Sequence, residues 1–139
     1  METKEFICSL SNFGPKETAE HVVMGASKFG MTILARIDHA AAAVKVGMEL
    51  RPTEVLIFGN PRVGTQLMQA RQSVGIDLPL KVLVWQDETG KTWTAYTDPA
   101  LLAARHGLPV ESRQIIDDMS ATLSSIVQET FMRSTVNAA

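Results

Sequence analysis

The segment Leu80-Lys81-Val82-Leu83-Val84-Trp85-Gln86, followed by Asp87-Glu88-Thr89-Gly90-Lys91 and then Thr92-Trp93-Thr94-Ala95-Tyr96-Thr97, decides the fold class. Both outer runs are rich in β-branched and aromatic residues, and a Gly-containing loop of this length joins antiparallel strands. At least part of the sheet is therefore antiparallel. N-terminal to the hairpin, three strand-then-helix units are predicted. Glu5 to Leu10 is a short strand with Phe6 and Cys8 on one side, ended by Asn12-Phe13-Gly14-Pro15. Pro15 opens a helix whose apolar stripe, Ala19, Val22, Val23 and Ala26, runs to Gly30, with His21 off the stripe. Met31 to Ile37 is the second strand, and Asp38 caps a short helix through the alanine run Ala40 to Ala43. Gly47 and Arg51-Pro52 close that helix, Glu54 to Phe58 is the third strand, and Pro61 starts a helix reaching about Gln72, with Gly75 just past its end.

C-terminal to the hairpin, Asp98-Pro99 supplies a cap and a first-turn proline, and Gly107 follows Arg105-His106 at the far end. From about Ser112, Ile115, Ile116, Met119, Leu123, Ile126, Val127 and Phe131 recur at helical steps, and the tail after Arg133 is expected to fray. The elements predict an α+β fold: a mixed, partly antiparallel sheet packed with helices, one two-layer domain over residues 1–139, and an extra C-terminal helix.

At 139 residues the chain suits one domain, and 45% hydrophobic with 20% charged residues is the balance of a soluble globular protein. A formal charge of −2, with thirteen basic residues scattered singly, argues against a nucleic-acid partner. No apolar run approaches the roughly 18–20 residues that span a bilayer, and the first ten residues carry no cationic and apolar leader. The expectation is a cytoplasmic protein with no membrane partner. Cys8 is the single cysteine, which excludes an internal disulfide and a multi-cysteine metal cage and reads as a small apolar strand residue.

The stretch with most functional content is Thr53 to Met68, T-E-V-L-I-F-G-N-P-R-V-G-T-Q-L-M. A buried-looking strand runs through Gly59-Asn60-Pro61 directly into a helix, a junction that offers backbone N–H groups to an anion. Asn60 supplies an amide, Gly64 permits close approach and Thr65 adds a hydroxyl, so the three are candidate ligand contacts, with Arg51 as a further anion contact. Equally, Asn60 before Pro61 is a good N-cap and Thr65 can satisfy a local carbonyl. The pattern is neither G-x-x-x-x-G-K-[ST] nor G-x-G-x-x-G, so no nucleotide loop and no cofactor is implied.

Several segments in order resemble the bacterial domain-of-unknown-function family three hundred and two: Ile37-Asp38-His39-Ala40, Arg51-Pro52 through Asn60-Pro61, Gly64-Thr65, Leu67-Met68, Asp77-Leu78-Pro79-Leu80-Lys81, Val84-Trp85, and Trp93 to Asp98-Pro99. They cover about residues 10 to 108 and leave the last helix outside. The resemblance implies a small α+β domain with a curved sheet covered by helices, a homodimer, and no established activity. Some relatives carry a cysteine beside the asparagine of the G-N-P segment, where this chain has Gly59, so thiol chemistry does not transfer.

Asp38 beside His39 is the acid/base candidate, because a carboxylate near imidazole orients it and tunes its pKa, although adjacent side chains seldom pair and Asp38 also reads as a cap. His21, His39 and His106 have no metal-ligand spacing. Trp85, Trp93 and Tyr96 on the hairpin suit a core or an interface before a ligand site. Two functional readings follow: a domain binding a small, anionic or partly apolar ligand around Asn60, or an enzyme using His39 as general acid or base. Self-association is expected as well, because a domain this small has little core to receive both the apolar last helix and the aromatic hairpin.

Overall fold

The structure, a computed structural model, describes residues 5–138, with side chains described through Thr130. Strands β1 (Phe6–Leu10), β2 (Thr32–Asp38), β3 (Thr53–Gly59), β4 (Leu80–Gln86) and β5 (Thr92–Thr97) form one sheet in the order β1-β5-β4-β3-β2. All four neighbouring pairs are antiparallel. The fold is α+β, and the antiparallel pairing that the hairpin demands extends across the whole sheet, so no parallel pair accompanies it. Helix α2 (His39–Lys45) and the segment 46–52 join β2 to β3, which runs back beside β2.

Helices α1 (Pro15–Lys28), α3 (Pro61–Ala70), α4 (Pro99–His106) and α5 (Arg113–Ala138) complete the domain, with 3-10 turns at Gln72–Ile76 and Val110–Ser112. Caps fall where the sequence places them. Asp38 Oδ1 accepts from the Ala41 N–H at 2.8 Å, Asp98 Oδ1 from the Ala100 N–H at 3.0 Å, and Gly107 closes α4 in the left-handed conformation at φ 61°. Helix α3 stops at Ala70 and the chain tightens into a 3-10 turn that buries Val74. The last helix extends to Ala138, past Arg133, and Phe131 lies outside the described side chains.

One sheet face carries the main core. Val22 and Ala26 of α1, Leu56 and Phe58 of β3, Val82 of β4 and Leu123 and Ile126 of α5 are all buried there. Gly25 lets α1 and α5 approach: a Cβ on it would lie 3.2 Å from Ile126 Cγ2. A second cluster, Leu67, Val74, Leu102, Ile116 and Met119, ties α3 and α4 to the first half of α5. The apolar stripe of α5 from Ile115 to Val127 therefore packs inside the monomer. His21, off the stripe of α1, is nonetheless covered: its ring stacks on Phe13 with centroids 4.5 Å apart and its side chain is 11% exposed. Arg36 on β2 bonds Glu54 and Glu20, each at 2.9 Å, and these carboxylates hold its guanidinium firmly in the charged form, linking β2, β3 and α1.

The opposite face is built from regular rows. Cys8, Ala95, Leu83, Val55 and Ile37 are successive register partners across all five strands. The adjoining row runs Leu10, Trp93, Trp85, Thr53. Trp85 and Trp93 stack with centroids 6.2 Å apart, and Asp87 Oδ2 accepts from the Trp93 indole at 2.8 Å. That bond and a second from Thr89 pull the Asp87 carboxyl well below the usual carboxylate range. Tyr96, by contrast, faces the main core, 6% exposed, and burial raises its phenol above its ordinary pKa. The hairpin's aromatics thus separate onto two faces by strand parity.

Candidate functional site

Where β3 ends and α3 begins, the backbone donors that suggest an anion site are already used. Pro61 has no N–H. The Arg62 N–H is bound by Asn60 Oδ1 at 3.0 Å, and the Val63 and Gly64 N–H groups both reach the Asn60 carbonyl at 3.0 Å. The capping role of Asn60 is realised, and the first turn of α3 presents no vacant cradle of donors.

The same junction does open into a cavity of about 390 Å³. Asn60, Pro61, Val63, Gly64, Gln66 and Met68 form one wall; Ile115, Asp118, Met119 and Thr122 of α5 form another. Phe29, Met31 and Leu34, from the α1–β2 turn and the edge strand, and Leu78-Pro79-Leu80 close the remainder. The volume falls within the ~300–1,000 Å³ range of small-molecule sites. The lining is predominantly apolar, with Met31, Met68 and Met119 contributing three adaptable thioethers. Its polar groups are Asn60, Gln66, Thr122 and one carboxylate, Asp118, which accepts from Gln114 Nε2 at 2.9 Å. Among the described residues, no Lys, Arg or His lines it. Gly64 faces inward, because a Cβ there would meet only Leu78 Cδ1 at 3.6 Å and Met68 Cε at 3.8 Å.

The structure brings together Asn60 and Gly64 of the sequence candidates and leaves the others elsewhere. Thr65 is exposed and does not line the cavity. Arg51 precedes the far end of β3 and donates to the Gln86 carbonyl at 3.2 Å, with Glu88 at 3.8 Å, bracing the β4–β5 loop. His39 is exposed at the start of α2, and the register sets Thr32, not Asp38, beside Gly59. Asp38 and His39 therefore stand a strand length, about 20 Å, from Asn60. Asp38 spends its carboxylate on the α2 cap.

One constellation has no counterpart in the sequence reading. His106 Nε2 lies 2.5 Å from Asp77 Oδ2, its Nδ1 lies 2.9 Å from Ser73 Oγ, and Arg105 donates to Asp77 Oδ1 at 2.8 Å. The hydrogen bond to His106, followed by that from Arg105, lowers the Asp77 pKa. A serine, histidine and aspartate in series resemble a hydrolytic relay. Here the hollow that Asp77 lines holds only about 30 Å³, and Arg105 occupies the second oxygen of Asp77. The chemistry fits a latch between the 3-10 turn and the C-terminus of α4. No spacing rule would have found it, since its members come from a turn and a helix end 33 residues apart. Among the described residues, no group of three His, Cys, Asp or Glu side chains could hold a metal ion.

An antiparallel five-stranded sheet under two long helices, with a cavity at the β3–α3 junction, defines a small single-sheet α+β domain. The chain belongs to the family described as "Domain of unknown function DUF302", whose model matches residues 7–129. That match takes in most of α5, which the sequence motifs alone leave outside. A solved DUF302 protein from Bacillus stearothermophilus, described as an uncharacterized conserved protein, superposes with a TM-score of 0.82 at 19% identity, covering 92% of this chain and 99% of that one. Similarity of that level establishes the fold. Among curated relatives, the chain is 47% identical over 103 residues to "Fluoride-specific ion channel FluC 1" of Brucella suis biovar 1, covering 74% of this chain and 41% of the relative. It is equally identical to "Fluoride-specific ion channel FluC 2" of Brucella melitensis biotype 1, covering 38% of that protein. The chain thus spans about two-fifths of these relatives' length. No helix among the described residues is long and apolar enough to cross a membrane.

Proposed function

We propose that this domain binds a small, largely apolar molecule in the cavity at the β3–α3 junction, within a cytoplasmic protein whose single cysteine forms no internal disulfide. The supporting observation is the cavity itself: about 390 Å³, walled by aliphatic, methionine and phenylalanine side chains, with Asn60, Gln66, Asp118 and Thr122 as its polar groups. Apolar area provides the affinity in such a site and a few polar groups fix orientation. The anionic ligand that the helix start suggests is disfavoured, because the N–H donors are consumed, no cation among the described residues lines the cavity and Asp118 would repel a second negative charge. The same argument weighs against carrying fluoride handling over from the partial Brucella relatives. Acid/base catalysis by His39 has no support from the geometry, since neither Asp38 nor His39 shares the cavity with Asn60.

The test is a thermal-shift screen with neutral, cationic and anionic metabolite-sized compounds on wild type and on Gly64→Leu, which projects a side chain into the cavity. A ligand present at 100 times its Kd stabilises the fold by about 2.7 kcal/mol. Compounds that raise the wild-type transition and leave a folded Gly64→Leu protein unmoved support the reading. Equal shifts in both proteins would remove the cavity from consideration.

A further inference from the structure

Among the described residues that line the cavity at the β3–α3 junction, Asp118 alone is ionisable. Helix α5 turns Ile115, Asp118, Met119 and Thr122 toward the cavity, the spacing of one helical face. Asp118 is exposed, whereas Met119 beside it is buried. Asp118 Oδ1 accepts from Gln114 Nε2 at 2.9 Å; among the described residues no donor reaches Oδ2. None of the ion pairs of the described residues includes Asp118. The carboxylate therefore borders the cavity without a cation of its own.

The neutral groups around it complement a donor. Gln66 on the α3 wall spends its Nε2 on the Arg62 carbonyl at 3.0 Å, which leaves Oε1 as an acceptor, and the Thr122 hydroxyl lies one turn beyond Asp118. Phe29, the residue that ends α1, also lines the cavity and is 49% exposed; an aromatic ring attracts a cation over its face. The remaining wall is hydrocarbon and thioether, with Val63, Met68, Leu78 and Leu80 partly buried against the second core cluster. The cavity is thus graded, from an exposed margin with one negative charge to a buried apolar floor.

We infer that the ligand is an apolar monoamine, with its ammonium head beside Asp118 and its hydrocarbon body in the cavity. This rests on the cavity reading proposed above and adds to it the charge and polarity of the ligand. An ammonium taken fully out of water would lose more in desolvation than one carboxylate returns. At an exposed Asp118 the head keeps part of its water, while the body contributes about fourfold in affinity for each methylene buried. One carboxylate balances one positive charge, so a polyamine would carry unpaired charges to an apolar wall.

The probes are n-hexylamine, 1-hexanol and hexanoate, which share a body and differ in the head group. NMR chemical-shift titrations at pH 7 would be run on the full chain as wild type, Asp118→Asn and Gly64→Leu. Asp118 is exposed on a helix, so asparagine leaves the fold intact. The amine should bind wild type on the order of tenfold tighter than the alcohol, from a solvated ion pair and a cation–π contact together, and hexanoate should bind weakest. In Asp118→Asn the advantage of the amine should shrink to about threefold or less, and a folded Gly64→Leu protein should lose all three ligands. Equal affinities for amine and alcohol, both lost in Gly64→Leu, overturn the inference and leave the cavity reading standing. A preference for the amine that survives unchanged in Asp118→Asn also overturns it, because the carboxylate would not be what reads the charge. Binding of none of the three removes the inference, and a blank thermal-shift screen alongside it removes the cavity reading as well.

Discussion

Gly64→Ala is expected to stabilise the unliganded protein, an outcome that separates the cavity from ordinary core. Gly64 is the fourth residue of α3, and its φ is not in the left-handed region, so alanine meets no backbone strain. An added methyl would stand 3.6 Å from Leu78 Cδ1 and 3.8 Å from Met68 Cε, ordinary van der Waals contact with no backbone atom in the way. Replacing glycine by alanine inside a helix is worth about 0.8–1 kcal/mol, reduced near the helix start, so the gain should be about 0.5–1 kcal/mol. For a chain of this size that raises the thermal midpoint by about 2–5 °C. Gly25 supplies the contrast within the same protein: its Cβ would press on Ile126 at 3.2 Å, so Gly25→Ala should lose stability or gain nothing. Calorimetry of both variants is the assay. A Gly64→Ala protein destabilised by more than about 1 kcal/mol would show that the position is close-packed, and the cavity would lose its wall.

Three further outcomes follow from named contacts. Asn60→Ala should cost about 1 kcal/mol by removing the cap on Arg62, whereas Asn60→Asp, which keeps the acceptor, should stay within a few tenths; urea unfolding measures both. Leu123→Ala should cost about 2–5 kcal/mol, because that side chain is 1% exposed against α1 and the sheet; a loss under 1 kcal/mol would show that α5 is peripheral. Asp77→Asn should cost about 1–2 kcal/mol at pH 7, low for bonds to charged groups because the site is partly solvated. Because folding lowers the Asp77 pKa, its contribution is full above the ordinary carboxylate value of 3.8 and disappears as pH falls through the lower folded value. The asparagine variant should therefore lose less stability than wild type between pH 4 and strongly acid conditions, and parallel acid titrations would refute the latch.

Much of this fold is legible in the sequence because its signals are local. The β4–β5 hairpin, the Asp38 and Asp98 caps and the Gly107 stop each reside within a few residues and appear as predicted. What local signals cannot convey is strand order. The sheet's edges are β1 and β2, so β1 pairs with β5 across almost the whole chain, and α1 must cross the sheet to reach β2. The same distance hides the Ser73, Asp77 and His106 latch, whose members become neighbours only when α4 packs beside the turn after α3.

The junction was legible in the sequence and its hydrogen bonding was not, which shows why a helix start is weak evidence for an anion. Glycine, asparagine and proline at the end of a strand do mark a junction where the backbone changes direction, and the cavity does open there. The same asparagine that marks the junction also neutralises it: its side chain and its carbonyl take three N–H groups between them, and proline removes a fourth donor. What remains for a ligand is the concavity that the change of direction leaves between α3 and α5, lined by residues such as Met119 that look from sequence like core. Met119 is in fact both, buried in the α3–α5 cluster and bordering the cavity. A ligand seated there would add contacts to the packing that holds α5 to the domain, so binding and the stability of α5 should rise together.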